Sequence, residues 1–105
     1  MQNANLEHIN MTVSDPVKTA EMLCELFDWK VRWSGESMIG GYTVHVGNDK
    51  AYLALYSPNR TREAHDNSYV TRGGMNHVGV VVDDLEEAER RVIAAGFAPN
   101  NHVDY

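Results

Sequence analysis

The chain has 105 residues, 43% apolar and 23% charged, with 15 acidic against 9 basic side chains and a formal net charge of −6. That length supports one domain around a single core, and the acidic balance, with no run of Lys and Arg able to line phosphates, argues against nucleic acid as a partner. No apolar run approaches the ~20 residues of a membrane span, and the N-terminal MQNANLEHIN has neither a basic start nor an apolar block with a cleavage site, so a cytoplasmic protein with no membrane partner is the expectation.

In residues 6–13, Ile9, Met11 and Val13 alternate with His8, Asn10 and Thr12. This is the period of a strand with one apolar and one polar face. Ser14-Asp15-Pro16 follows, with Asp15 suited to an N-cap and Pro16 to the first helical position, where its missing N–H has no partner to lose. Val17, Ala20, Leu23, Cys24 and Phe27 then recur at helical spacing. The single cysteine, Cys24, falls on that apolar stripe and is expected as a buried, inert thiol.

Residues 29–33 read as a second strand with Trp29, Val31 and Trp33 on one face, and 34–41 as a loop with three glycines. Residues 42–46 and 51–57 form two further strands around the polar turn Gly47-Asn48-Asp49-Lys50. The stretch 58–74 is polar and without apolar periodicity, a connection in which Arg60, Arg62 and Arg72 are read as solvated charges.

The pattern then restarts. MNHVGVVVDDLEEAERRVIAAGF at 75–97 repeats, in altered form, LEHINMTVSDPVKTAEMLCELFDW at 6–29. Residues 75–82 are expected as a strand, Asp83-Asp84 as the cap, and Leu85, Ala88, Val92 and Ala95 as the buried stripe of a helix closed by Gly96, with a last strand running to Tyr105. One domain over 1–105 thus holds a first βαβββ unit (6–57), a connection (58–74) and an incomplete second unit (75–105). A unit lacking its last hairpin leaves a strand edge and an apolar face to be covered, which predicts a homodimer, with strand exchange between protomers as one way to build it.

His8 and His77 occupy the same place in the two copies. His8 shares a strand face with Asn10 and Thr12, opposite the apolar residues, and a two-fold relation between copies would bring the imidazoles together. A metal site and a plain hydrogen-bonding role both stay open for this pair. Tyr52, Ala54 and Tyr56 alternate with Leu53 and Leu55, so they share a face; the tyrosines suit either the walls of a ligand site or ordinary packing. Trp29 and Trp33 are expected in core or interface, and His45, His65 and His102 in structural or surface roles.

The ordered set LEHINMTVSD, LFDW, GGMNHVGVVVDDLEEA and AAGF, with its internal repeat, resembles the vicinal oxygen chelate superfamily, which includes glyoxalase I, bleomycin-resistance proteins and extradiol dioxygenases. The likeness runs from Leu6 to Tyr105. It implies an α+β fold of paired βαβββ units forming an open, cup-shaped mixed sheet, here with the second unit truncated at its C-terminus. It also implies a small-molecule site inside the cup. Metal-dependent relatives take ligands from the first and last strands of each unit; carried over, these are His8, His77, Ala54 in place of a common Glu, and a position beyond Tyr105.

Three functions follow from the resemblance. The first is a lyase, isomerase or dioxygenase acting on vicinal oxygens through a divalent metal (Fe, Zn, Ni or Mn) held by His8 and His77, with Asn10, Tyr52 and Tyr56 contacting substrate. The second is a metal-free protein that binds or sequesters a small molecule. The third is a remodelled member with a structural or assembly role.

Overall fold

The computed structural model describes residues 3–37, 40–58, 61–63 and 67–100. Along the chain lie β1 (His8–Thr12), α1 (Pro16–Phe27), β2 (Lys30–Glu36), β3 (Tyr42–Gly47), β4 (Tyr52–Ser57) and α2 (Leu85–Ala94). The fold class is α+β, and the strands form one open mixed sheet in the order β1-β4-β3-β2. β1 runs parallel to β4, while β3 is antiparallel to both β4 and β2. The first βαβββ unit is therefore complete.

Each local signal of that unit has a visible cause. The Asp15 carboxylate accepts from the Lys18 backbone N–H at 3.1 Å, capping α1 one residue before Pro16. At the other end Asp28 adopts a left-handed conformation (φ 58°) and its N–H closes on the Cys24 carbonyl. In the β3–β4 turn the Asn48 side-chain oxygen accepts from the N–H groups of Lys50 (2.9 Å) and Ala51 (3.1 Å), which fixes the hairpin register.

One face of the sheet is covered by α1. Ala20 packs there with Val44, Val46, Leu53 and Leu55, and Met11, Val13, Leu23, Cys24 and Trp29 close around them. Cys24 is a free thiol on the expected side of α1, half-buried in that wall rather than fully buried. Val17 is exposed and Leu26 buried, a small rotation of the expected stripe. It turns α1 toward α2, whose Arg91 guanidinium reaches the Leu26 carbonyl at 3.4 Å and the Asp28 carboxylate at 3.1 Å.

The second unit departs from expectation. Residues 75–82 form no strand, because a strand exists only where another strand completes its ladder and this segment pairs with neither open edge, β1 nor β2. α2 does form: Asp84 caps it through the Glu87 N–H at 3.0 Å. Its exit is a Schellman closure, with Gly96 at φ 98° and N–H bonds from Gly96 to Ile93 and from Phe97 to Val92. None of its residues is buried, however, and Leu85 and Ile93 stand in solvent. The stripe Leu85, Ala88, Val92 and Ala95 has the right period and no sheet to pack on. The strand expected to end at Tyr105 falls, from residue 101 on, outside the described residues, as do His65, His102 and Arg60.

Candidate functional site

Among the described residues no helix covers the other face of the sheet, and register decides which side chains it presents. His8 lies opposite Tyr52, Asn10 opposite Ala54 and Thr12 opposite Tyr56; Ala54 in turn faces His45, and Tyr56 faces Thr43. The polar face of β1 and the Tyr52, Ala54, Tyr56 face of β4 are thus one surface, as their alternation predicts.

β2 does not follow its alternation. Between Val31, paired with Val46, and Trp33, paired with His45, one extra residue, Arg32, is inserted into the ladder. A bulge of this kind lets two consecutive side chains share a side and shifts everything after it to the opposite face. Trp29 and Val31 accordingly stay with the helix-covered face, while Arg32 and Trp33 both serve the open one. The expected common face for Trp29, Val31 and Trp33 is corrected by this single residue. Trp33 is 51% exposed, and its indole lies along the strand over Gly35, where a Cβ would come 2.9 Å from the ring.

The result is a row of rings crossing the sheet, one from each strand. Trp33 of β2 stands 5.1 Å from His45 of β3, His45 stands 4.6 Å from Tyr52 of β4, and Tyr52 stands 4.9 Å from His8 of β1. His8 and His45 are 6.5 Å apart and both are close to parallel with the phenol, too near each other to sandwich it from opposite sides. The Arg32 guanidinium sits 4.5 Å from the Tyr52 ring centre, a cation–π contact, and donates to the Asn48 carbonyl at 3.2 Å.

Glu7 joins the row at its β1 end. Its backbone carbonyl accepts from Tyr52 N–H at 3.0 Å, which holds its side chain beside the phenol. There one oxygen, Oε1, contacts His8 Nδ1 at 2.8 Å and accepts from the Tyr52 hydroxyl at 3.3 Å. The hydrogen bond to His8, then that from Tyr52, lowers the Glu7 carboxyl below its ordinary value. Burial, followed by the Glu7 charge, raises the Tyr52 phenol. Burial, then the neighbouring His8 and Arg32, lowers the His45 imidazole below its ordinary value.

The structure brings His8 and Tyr52 together and leaves the other predicted site residues apart. Asn10 is exposed on the same face one step along β1, beside Ala54. The Tyr56 hydroxyl turns to the opposite end of the sheet, donating to the Gly40 carbonyl at 3.4 Å. Val78 and Gly79, next to His77 in sequence, line a hollow of about 170 Å³ together with His8 and Tyr52. Among the described residues, however, no hydrogen bond, ion pair or ring contact joins His77 to His8. His45, Arg32, Trp33 and Glu7 are the residues that sequence reading passed over; for His45 the signal was available in its strand position opposite Ala54.

A divalent metal is implied by the fold family, and the described residues alone do not supply a donor set that fits one. Ala54, at the usual carboxylate position, offers no donor and is 1% exposed, and among the described residues no three His, Cys, Asp or Glu side chains gather around a common point.

The family model for the glyoxalase/bleomycin resistance protein/dioxygenase superfamily matches residues 7–103, and the chain belongs to that superfamily. Among solved structures, it is similar to the crystal structure of SMU.1112c, at 16% identity and a TM-score of 0.58, covering 91% of this chain and 77% of that one. That likeness is one of fold. No curated protein matches. No helix of the described residues is long and apolar enough to cross a membrane.

Proposed function

We propose that this chain is a small-molecule-binding member of its superfamily, with the ligand lying on the helix-free face of the sheet. The observation that carries the reading is the row Trp33, His45, Tyr52 and His8, one ring per strand, beside the charge of Arg32. Rings on a rigid sheet present large contact area with little side-chain freedom to lose, which suits a ligand site better than a solvated surface. Asn10 and Tyr52 are its polar contacts on β1 and β4, with Tyr56 further along. Screening a fragment set by NMR tests it: shifts confined to Trp33, His45 and Tyr52 are expected, and shifts elsewhere or none would reject the site.

A metal-dependent enzyme, whether lyase, isomerase or dioxygenase, is the second reading, and the Glu7–His8 pair favours it. An imidazole whose Nδ1 is engaged by a carboxylate is held with Nε2 directed outward, the support that metal-binding histidines commonly have. His8 and His77 would be the protein ligands, with Fe, Zn, Ni or Mn as candidate ions and further donors from outside the described residues. Metal analysis of protein purified without chelator, repeated for His8→Ala and His77→Ala, separates the readings.

A homodimer belongs to either reading. Among the described residues the outer rows of β1 and β2 are open and residues 75–82 have no ladder partner, so a second copy can supply what each lacks. Sedimentation at micromolar concentration should give a dimer; a clean monomer would count against it.

A further inference from the structure

The chemistry of the ring row narrows what it can hold. Among the described residues Arg32 has no carboxylate within ion-pair distance; its hydrogen bond goes to a backbone carbonyl and its guanidinium rests on the Tyr52 ring, so most of its donors remain for a ligand. Its neighbour Trp33 offers an exposed indole, and the His45 ring, 5.1 Å away, continues that aromatic surface.

The sign of the surroundings follows from named groups. Arg32 reaches the Tyr52 ring from β2, and Glu7 reaches the Tyr52 hydroxyl from the start of β1. Glu7 is itself occupied by His8 and the Tyr52 hydroxyl. A cationic ligand would meet Arg32 already seated on Tyr52, the ring best placed to attract it. An anion, by contrast, meets a free guanidinium whose fork matches a carboxylate.

We infer that the helix-free face takes a planar aromatic ligand bearing a carboxylate, with its ring laid against Trp33 and His45 and its carboxylate on the Arg32 guanidinium. This rests on the reading of that face as the ligand site. It adds a chemical class, and it assigns Arg32 and Trp33 as the residues that set it. The bulge is what makes the pair available, because in a strand of regular alternation Arg32 and Trp33 would point to opposite faces.

The test uses four probes: 2-naphthoate, its neutral amide 2-naphthamide, the cationic 2-naphthylmethylamine, and acetate. Binding is followed by calorimetry and by the NMR signals of the Trp33 indole and His45 ring. Naphthoate should bind about tenfold more tightly than the amide, the scale of one charge-assisted contact, and acetate and the amine more weakly than either. Arg32→Gln should abolish the preference for naphthoate over the amide, with the unperturbed NMR dispersion of the free variant reporting that the fold is intact. Trp33→Leu should weaken naphthoate and amide together. Equal binding of naphthoate and amide, or a preference for the amine, would overturn the inference and leave the ligand face standing. Failure of every aromatic probe to move Trp33 or His45 would overturn both.

Discussion

His8 and Tyr52 face each other across the parallel β1–β4 pair, their rings 4.9 Å apart and 17° from parallel, and both reach the same oxygen of Glu7. Neither residue is near the other in sequence. The pairing exists because β4 returns beside β1 only after α1 and two strands have intervened, so the open face is assembled from the whole first unit.

The shared oxygen gives a ranked prediction. Glu7 is lowered first by His8 and second by Tyr52, so His8→Ala should raise the Glu7 carboxyl pKa more than Tyr52→Phe does, as read by carboxyl NMR titration. A carboxyl with a depressed folded value supports the fold above its unfolded pKa and loses that support as pH falls through the folded one. The Glu7 contribution should therefore disappear on acidification and be absent in Glu7→Gln at every pH.

His45 titrates in the opposite chemical sense with a related outcome. Its folded pKa lies below the ordinary 6.5 because of burial and then the charges of His8 and Arg32, so the unfolded chain takes up this proton first. Stability should be full above pH 6.5 and fall as pH drops from there toward the folded value. His45→Gln should flatten that part of the curve; an unaltered slope in chemical unfolding between pH 7 and 5 would show that His45 is not its source.

Core substitutions should separate from surface ones. Leu55 is completely buried between α1 and its neighbours, and Leu55→Ala should lower unfolding free energy by about 2–5 kcal/mol. Gly47 is opposite Tyr52, and a Cβ there would fall against the Ala51 carbonyl and 2.6 Å from Tyr52 Cα. Gly47→Ala should cost about 1–3 kcal/mol through overpacking and disturb the Tyr52 ring. Arg91→Ala, removing an exposed pair with Asp28, should cost no more than about 1 kcal/mol.

Ala54→Glu addresses the metal reading directly. It introduces a carboxylate between Asn10 and His45 in the register, on the face that holds His8. Affinity for Zn or Ni should rise above that of the natural sequence. Unchanged affinity would mean that the carboxylate and the imidazoles do not converge.

The first unit is legible in the sequence because its signals are local: the Asp15-Pro16 start, the period of two in β1 and β4, the Asn48 turn. Trp33 was misplaced because a bulge leaves no necessary mark on composition; Arg32 looks like any strand residue until its partner strand is known. His45 was passed over because a lone histidine on a strand is ordinary, and only the neighbours Trp33 and Tyr52 give it meaning. In the second unit the period of α2 was correct and its burial was not, since periodicity reports which side of a helix is apolar and not whether anything covers it. Val81, fully exposed in a segment read as a strand, makes the same distinction.

The extra residue in β2 also acts as a phase shift in the genetic text. Deleting Arg32 would leave the composition of the strand almost untouched and restore strict alternation, with Val31 under α1 and Trp33 still opposite His45, so the open face would keep its indole and lose its guanidinium. Two chains of this architecture could then carry nearly the same β2 letters and offer different surfaces to their ligands. For β2, therefore, relatedness of sequence is informative about the site only after the count of residues between Trp29 and Gly35 has been matched.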